Sequence, residues 1–373
     1  MSATSTTERP GIGADEAAML RKIGYGDGDA RSATSILIDH DIRVATSETD
    51  AVEILPIQEA LMRYDWVQDL MFNQIAPDEN ELLRQSAELL QDPIGRFVYV
   101  HDGAKLRHPI QSFTVMSRPQ ERQFTHNITV IGRDAEVEII SGAAVPPNVH
   151  AGHHVSIDET YLRDGARMRS VSIERWGVNM RVDSYSRSEI GTGAEVTSSQ
   201  IMLAALRRHH SDTKMRLGAD ALCSDQAIIF APKGTERTFD TEVRLSAPGA
   251  RSEHVARMVS GGGRIVNNSV LIGETPGTNG FLGCDGLMLS GEGQISATPA
   301  LIADSAEAQL SHEASVGMIS SEKLAYLMAA GLGEDRARDL IVQGFLSLND
   351  ADIPADIRAQ VADMVAAAKS GGM

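Results

Sequence analysis

The groups with chemistry to offer in this chain are two cysteines, a few clustered histidines and a surplus of carboxylates. Cys284 is the most suggestive. It lies in Gly283-Cys284-Asp285-Gly286, a turn-like sequence in which a thiol is expected to be reachable. His312 and Glu313 follow 28 residues after it, one period of the repeat found upstream, so the two are expected on adjacent rungs of a stacked fold. A thiol beside an imidazole is a soft-metal or sulfur-handling pair, because the neighbouring base favours the thiolate. Cys223 differs. It occupies an apolar slot of the repeat and reads as a small buried hydrophobe.

The histidine clusters carry less. His150, His153 and His154 would suit zinc, nickel or copper. Strand alternation sends His153 and His154 to opposite faces, so at most two of the three converge. No HExxH-like spacing supports a site. His209-His210 meets the same objection and, beside Arg207 and Arg208, is expected to decorate a solvated turn.

Several activities lack their signatures. No GxxxxGK[ST] loop is present, so the chain is not expected to hydrolyse ATP itself. The absence of CxxC removes zinc ribbons and thioredoxin-like sites. Gly261-Gly262-Gly263 is no dinucleotide fingerprint and reads as a corner between strands. A carbohydrate-acting β-helix enzyme is an alternative class, but it needs paired carboxylates in a groove and normally a secreted chain. Neither an acidic pair nor a signal peptide is legible. A formal net charge of −17 makes nucleic acid a poor partner. No run of about 18 apolar residues reads as a membrane span. Two cysteines in 373 residues argue against a disulfide scaffold, so a cytoplasmic location with reduced thiols is expected.

These groups need elements to position them. Aromatic residues are only 4% while glycines number 33, a profile of short strands and tight turns. From about residue 96 a repeat is legible: an aliphatic residue, three or four turn formers, an alanine, a variable residue, then usually an apolar one. It runs Ile131…Ala135-Glu136-Val137, Leu162…Ala166-Arg167-Met168, Ile190…Ala194-Glu195-Val196, Leu217…Ala221-Leu222-Cys223 and, less well, Leu245…Ala250-Arg251-Ser252. The alanines recur every 27–31 residues, a period of stacked architectures in which each unit buries its apolar side against its neighbours. The predicted fold is mainly β: a β-helix over 96–318 between helical regions. Met1–Gly11 reads as disordered. The N-terminal region, 1–95, is expected to be mostly helical, with helical patterns in Gly13–Gly24, Ile54–Phe72 and Pro77–Gln91. The C-terminal region, 319–373, is expected to hold three helices: one carrying Leu324, Leu327 and Met328, one carrying Ala337, Leu340, Ile341 and Phe345, and one after Pro354.

The stretch from Gly283 to Phe345 resembles the C-terminal core of the SufB/SufD family of iron–sulfur cluster assembly scaffolds. The likeness rests on Cys284, Pro299-Ala300-Leu301, Leu310-Ser311-His312-Glu313-Ala314, Tyr326-Leu327…Gly331-Leu332…Ala337 and Gly344-Phe345, in that order. Weaker likeness reaches upstream through Ser172-Ile173-Glu174-Arg175-Trp176, so that it covers roughly residues 110–350. The resemblance implies a right-handed parallel β-helix, two of which pair into a homodimer or heterodimer. It implies a SufC-like ABC ATPase docked on the C-terminal helices, through Tyr326, Leu327, Gly331, Leu332, Ala337, Leu340, Ile341 and Phe345. It further implies a transient iron–sulfur cluster built at the pairing from Cys284, His312 and Glu313, with sulfur from a cysteine desulfurase or another donor. The chain departs from both branches. Ser311 stands where the SufB branch has Glu before the His, and Cys284 is present where SufD-like, purely structural partners lack the thiol. Clusters are normally held by thiolates. With two cysteines, full ligation must combine two chains, use His and carboxylate ligands, or recruit an outside thiol.

Overall fold

The repeat is a ladder in space. The computed structural model describes residues 11–26, 30–119, 122–289 and 291–346. Over them the chain winds as a parallel β-solenoid of about eight turns with short helices toward its ends. Two sheets form its walls. The first has ten strands and runs from Asp41–Ser47 at one edge to Gln309–Met318 at the other; the second has nine and runs from Val52–Pro56 to Gln294–Ala303.

The aliphatic positions of the repeat pair in register, Ile131 with Leu162, then Ile190, Leu217 and Leu245. So do the apolar positions, Val137 with Met168, Val196 and Cys223. The alanines between them, Ala135, Ala166, Ala194, Ala221 and Ala250, are all fully buried at the corner. Just before each alanine the backbone turns left-handed, at Asp134 (φ 56°), Gly165 (69°), Gly193 (64°), Asp220 (56°) and Gly249 (75°). Glycine takes that conformation without a Cβ penalty, and aspartate tolerates it through local hydrogen bonding. Here the period comes from a corner that demands two residue types in sequence.

The N-terminal region is not mostly helical. Helices α1 (Ala14–Arg21), α2 (Ile57–Arg63), α3 (Asp65–Gln68) and α4 (Glu81–Glu88) are present, but Ala33–Ile38, Asp41–Ser47 and Val52–Pro56 are strands that begin both sheets. The solenoid walls therefore start near residue 33, not 96. The reason is burial: all six residues of Ala33–Ile38 are buried, with one neighbouring strand on each side. Asp41–Ser47 pairs antiparallel with Ala33–Ile38, and Val52–Pro56 with Arg96–Val100; Asp41–Ser47 and Val52–Pro56 are the first edge strands of the two sheets.

Helices α5 (Ser321–Ala329) and α6 (Glu334–Phe345) form where the apolar spacing placed them. Val342 and Leu346, with Met19, Leu20 and Ile23 from the α1 region, belong to the apolar cluster on the outer face of the first sheet that holds Phe113, Ile173 and Phe230. Helices α2 and α3 cover the second sheet through Ile57 and Val67 against Phe97, Ile128 and Tyr161. Residues 1–10 and the helix expected after Pro354 lie outside the described residues.

The interior changes character along the axis. Toward the N-terminal end it holds a cavity of about 310 Å3 lined largely by serines and threonines, with Arg96, Asp158 and Glu174 among them. Toward the C-terminal end Ile229, Phe239, Met258, Ile265 and Cys284 fill it.

Candidate functional site

Cys284 is in a strand, Asn279–Met288, not in a turn, and it is fully buried. Its glycine neighbours serve packing: a Cβ at Gly280 would lie 2.5 Å from Leu271 and one at Gly286 would lie 3.0 Å from Val316. Glycine here makes room for side chains of adjoining rungs. Asn267 Nδ2 donates to Cys284 Sγ at 3.4 Å. Burial pushes the thiol pKa up, Asp285 adds to the rise, and the Asn267 hydrogen bond opposes it. In the single chain Cys284 is thus a sheltered thiol rather than the accessible thiolate its flanking residues suggested.

His312 and Glu313 lie on Gln309–Met318, the last rung of the first sheet. The register pairs Leu282 with His312, Gly283 with Glu313 and Cys284 with Ala314. The rungs are adjacent, as the 28-residue spacing required, but His312 is offset from Cys284 by two residues. The Cα atoms are separated by about 5 Å between rungs and about 7 Å along the strand. Paired positions share a face, so His312 lies on the face of Cys284 and Glu313 on the opposite one. Among the described residues no group of three or more His, Cys, Asp or Glu side chains is placed to hold a metal ion. One chain therefore aligns a thiol and an imidazole without closing a coordination sphere around them.

Among the described residues nothing covers the last turn. His312, Glu313 and Ala314 are exposed, as are Val316 (47%) and Met318 (61%) on the same strand and Ile302 (44%) on the last strand of the second sheet. Ala314, with its single methyl, is the residue between Cys284 and the open end.

Cys223 faces inward, as its repeat position required, with Sγ 3.6 Å from Met215 Sδ. Burial first, and Asp225 second, drive its pKa well above the usual thiol range. It lies two rungs and four residues from Cys284, roughly 16 Å away by strand dimensions, too far for a disulfide.

Neither histidine cluster converges within itself, although His153 and His210 meet at the Asp183 carboxylate. His153 Nε2 is 2.7 Å from Asp183, while His154 Nδ1 is 2.8 Å from Gln123 Oε1 and its ring packs on Trp176. Burial pushes His154 down to about 3. His209 and His210 are not in a solvated turn but in strand Arg208–Leu217. His209 is buried, with its pKa pushed down by burial to about 3. His210 points the other way, its Nε2 3.0 Å from Asp240 and its Nδ1 3.5 Å from Asp183. The period-2 alternation that separated the first pair separates this one too.

Sequence reasoning missed the polar interior. Burial raises the Glu174 pKa to about 7, against the Trp176 Nε1–H donated at 2.9 Å and the Arg237 charge. Burial likewise lowers Arg96 to about 10, although Asp158 opposes it. Arg96 donates to Asn127, Ser112 and Thr114. The signal was legible in the alternate serines Ser184, Ser186 and Ser188 of one strand, whose positions face the cavity.

On the C-terminal helices Tyr326 (75%) and Leu340 (49%) are exposed and Ala337 is buried. Ile341 and Phe345 are partly buried against the chain's own core. Leu327 and Leu332 are half-buried, and Gly331, at φ 96°, turns the chain between the helices.

Fold and site define a parallel β-solenoid with one buried thiol a single rung inside an end that no described residue covers. Residues 113–345 match the family model described as SUF system FeS cluster assembly, SufBD core domain. An iron–sulfur cluster assembly SufBD family protein of Archaeoglobus fulgidus is 30% identical over 343 residues, which are 92% of this chain and 92% of the relative. One from Methanothermobacter thermautotrophicus is 29% identical over 93% of this chain and 86% of its own. One from Staphylococcus aureus is 25% identical over 72% of this chain and 58% of its own. The chain belongs to the SufBD family, and its core is that of a cluster-assembly protein. Among the described residues no helix is long and apolar enough to cross a membrane.

Proposed function

We propose that this protein is a scaffold subunit on which a nascent iron–sulfur cluster is built between two chains and then handed on. The observation that carries the reading is the bare last turn, with a thiol one rung inside it and an imidazole on the same face of the outer rung. An unpaired strand edge is a template for another strand. A second SufB/SufD-like chain seated there would bring its own last rung opposite His312 and Glu313. Cys284, His312 and Glu313 then supply sulfur, nitrogen and oxygen ligands, completed by the second chain or an outside thiol. A site short of thiolates holds its cargo loosely, which suits delivery better than electron carriage. Sulfur comes from a separate donor, such as a cysteine desulfurase. A SufC-like ABC ATPase docks on α5 and α6, where Tyr326 and Leu340 are the exposed anchors. The alternative is a SufD-like structural role without a cluster site; Cys284 favours the first reading.

Reconstitution with iron and sulfide tests it. Cys284→Ser and His312→Ala should each abolish cluster formation, Glu313→Ala should weaken it, and Cys223→Ala should matter less. Normal iron and sulfide content in Cys284→Ser would refute the assignment, and sensitivity at Cys223 alone would move the chemistry into the solenoid interior.

A further inference from the structure

Residues at or near the starts of the second-sheet strands form a ladder of their own. Arg181 pairs with Arg208, Arg208 with Glu236, and Glu236 with Arg264. Arg207, at the preceding corner, joins them, and together they line a groove of about 710 Å3 on the outside of the solenoid. All four arginines are exposed, against the single Glu236 carboxylate on the ladder. This is a strong local reversal in a chain of net charge −17.

Like charges directly opposite in a ladder are destabilising. That cost is only partly offset inside the chain. Arg208 reaches Asp183 at 3.6 Å, and Arg264 meets the neutral Gln294 at 3.3 Å. Among the described residues no carboxylate pairs with Arg181 or Arg207.

The groove wall is bare backbone. Gly234 (φ 80°), Gly262 (φ 106°) and Gly293 (φ 93°) turn successive corners in the left-handed region. A Cβ at Gly263 would lie 2.4 Å from the Pro232 carbonyl oxygen. Without side chains there, a ligand can approach the corner closely.

We propose that this groove is a binding site for a compact phosphate-bearing anion. The spacing selects that class over an extended acidic peptide. Arg181, Arg207 and Arg208 lie within one rung, about 5 Å, whereas carboxylates on one face of an extended segment recur only every 7 Å or so. Guanidinium groups match phosphate oxygens as planar, two-pronged donors. Arg264, two rungs from Arg208, would meet a second phosphate group or the body of the ligand. The groove volume is that of a small-molecule site.

Calorimetric titration of the full chain with inorganic pyrophosphate, in about 0.15 M salt to screen loose surface attraction, tests the site. Saturable binding is expected, tighter than for inorganic phosphate. Arg181→Gln with Arg207→Gln should weaken it at least tenfold with no fall in melting temperature. Arg181→Lys with Arg207→Lys, which keeps the charge and loses the fork, should fall between. Arg251→Gln, which removes one arginine charge on the first sheet, should bind as the parent does. Absence of saturable binding, or an equal loss in Arg251→Gln, would overturn the proposal. So would binding of a polyglutamate peptide that pyrophosphate cannot displace, which would reassign the groove to an acidic protein segment. Displacement of pyrophosphate by a nucleoside diphosphate, set against displacement by phosphate alone, distinguishes a nucleotide from a free anion as the source.

Discussion

The two ends of the solenoid are finished in opposite ways. At the N-terminal end antiparallel strands finish both sheets, and α2, α3 and α4 wrap the second-sheet wall around Phe97, Ile128, Tyr161 and Tyr185. At the C-terminal end no described element covers the last strands, and Val316, Met318 and Ile302 are exposed. Exposed edges invite association, and folded proteins generally cover, twist or charge them. Among the described residues one end is covered and the other is left bare, beside Cys284. On the proposed function, the contrast separates a part of the molecule that serves folding from a part that would serve assembly.

The contrast breaks most visibly at Gly95, by the closed end. This residue sits at φ 152°, and a Cβ there would lie 1.8 Å from the His126 carbonyl oxygen. Its own carbonyl accepts from Ile57 N at 2.9 Å, tying α2 to the second sheet. Gly95→Ala is expected to cost about 3 kcal/mol or more, read as a fall in denaturant midpoint. Little change would mean that the closed end is looser than its packing implies.

At the open end the reverse holds. Val316→Glu with Met318→Glu should shift the stability of the isolated chain by no more than about 0.5 kcal/mol, yet abolish pairing of chains in sedimentation. Tyr326→Glu with Leu340→Glu should leave pairing intact and abolish co-purification of the ATPase. Phe345 is a poor probe of that docking because it packs on the chain's own core. Loss of both interactions in either variant would merge the two surfaces.

The smallest effect lies in the polar interior between the ends. Burial raises Glu174 from 4.5 to about 7. Between those values the folded chain holds a proton that the unfolded chain has released, so this group's contribution to stability is present below pH 4.5 and lost as pH rises through about 7. The buried His154 and His209, pushed down from 6.5 to about 3, act in the opposite sense. The difference between variant and parent isolates the carboxyl: Glu174→Gln should gain a few degrees in melting temperature relative to the parent between pH 5 and pH 7.5. A constant difference would place the Glu174 pKa near its ordinary value.

The repeat made the solenoid legible because five successive corners along one side place an Asp or Gly at positive φ before a small alanine, and those demands recur in one dimension. The same periodicity put Cys223 in its slot and His312 one rung below Cys284. The inward or outward face of each histidine followed from strand alternation once the strand around it was known. Other features were not local. Ala33–Ile38 is a strand because neighbours bury it on both sides, and Gly283-Cys284-Asp285-Gly286 is a strand because adjoining side chains fill the space its glycines leave. Turn propensity described those residues alone and missed the rungs around them. The two-residue offset between Cys284 and His312, the shelter of the thiol, the raised Glu174 carboxyl and the arginine groove each depend on which rung lies against which. Register and burial, which exist only when the chain is wound, decided them.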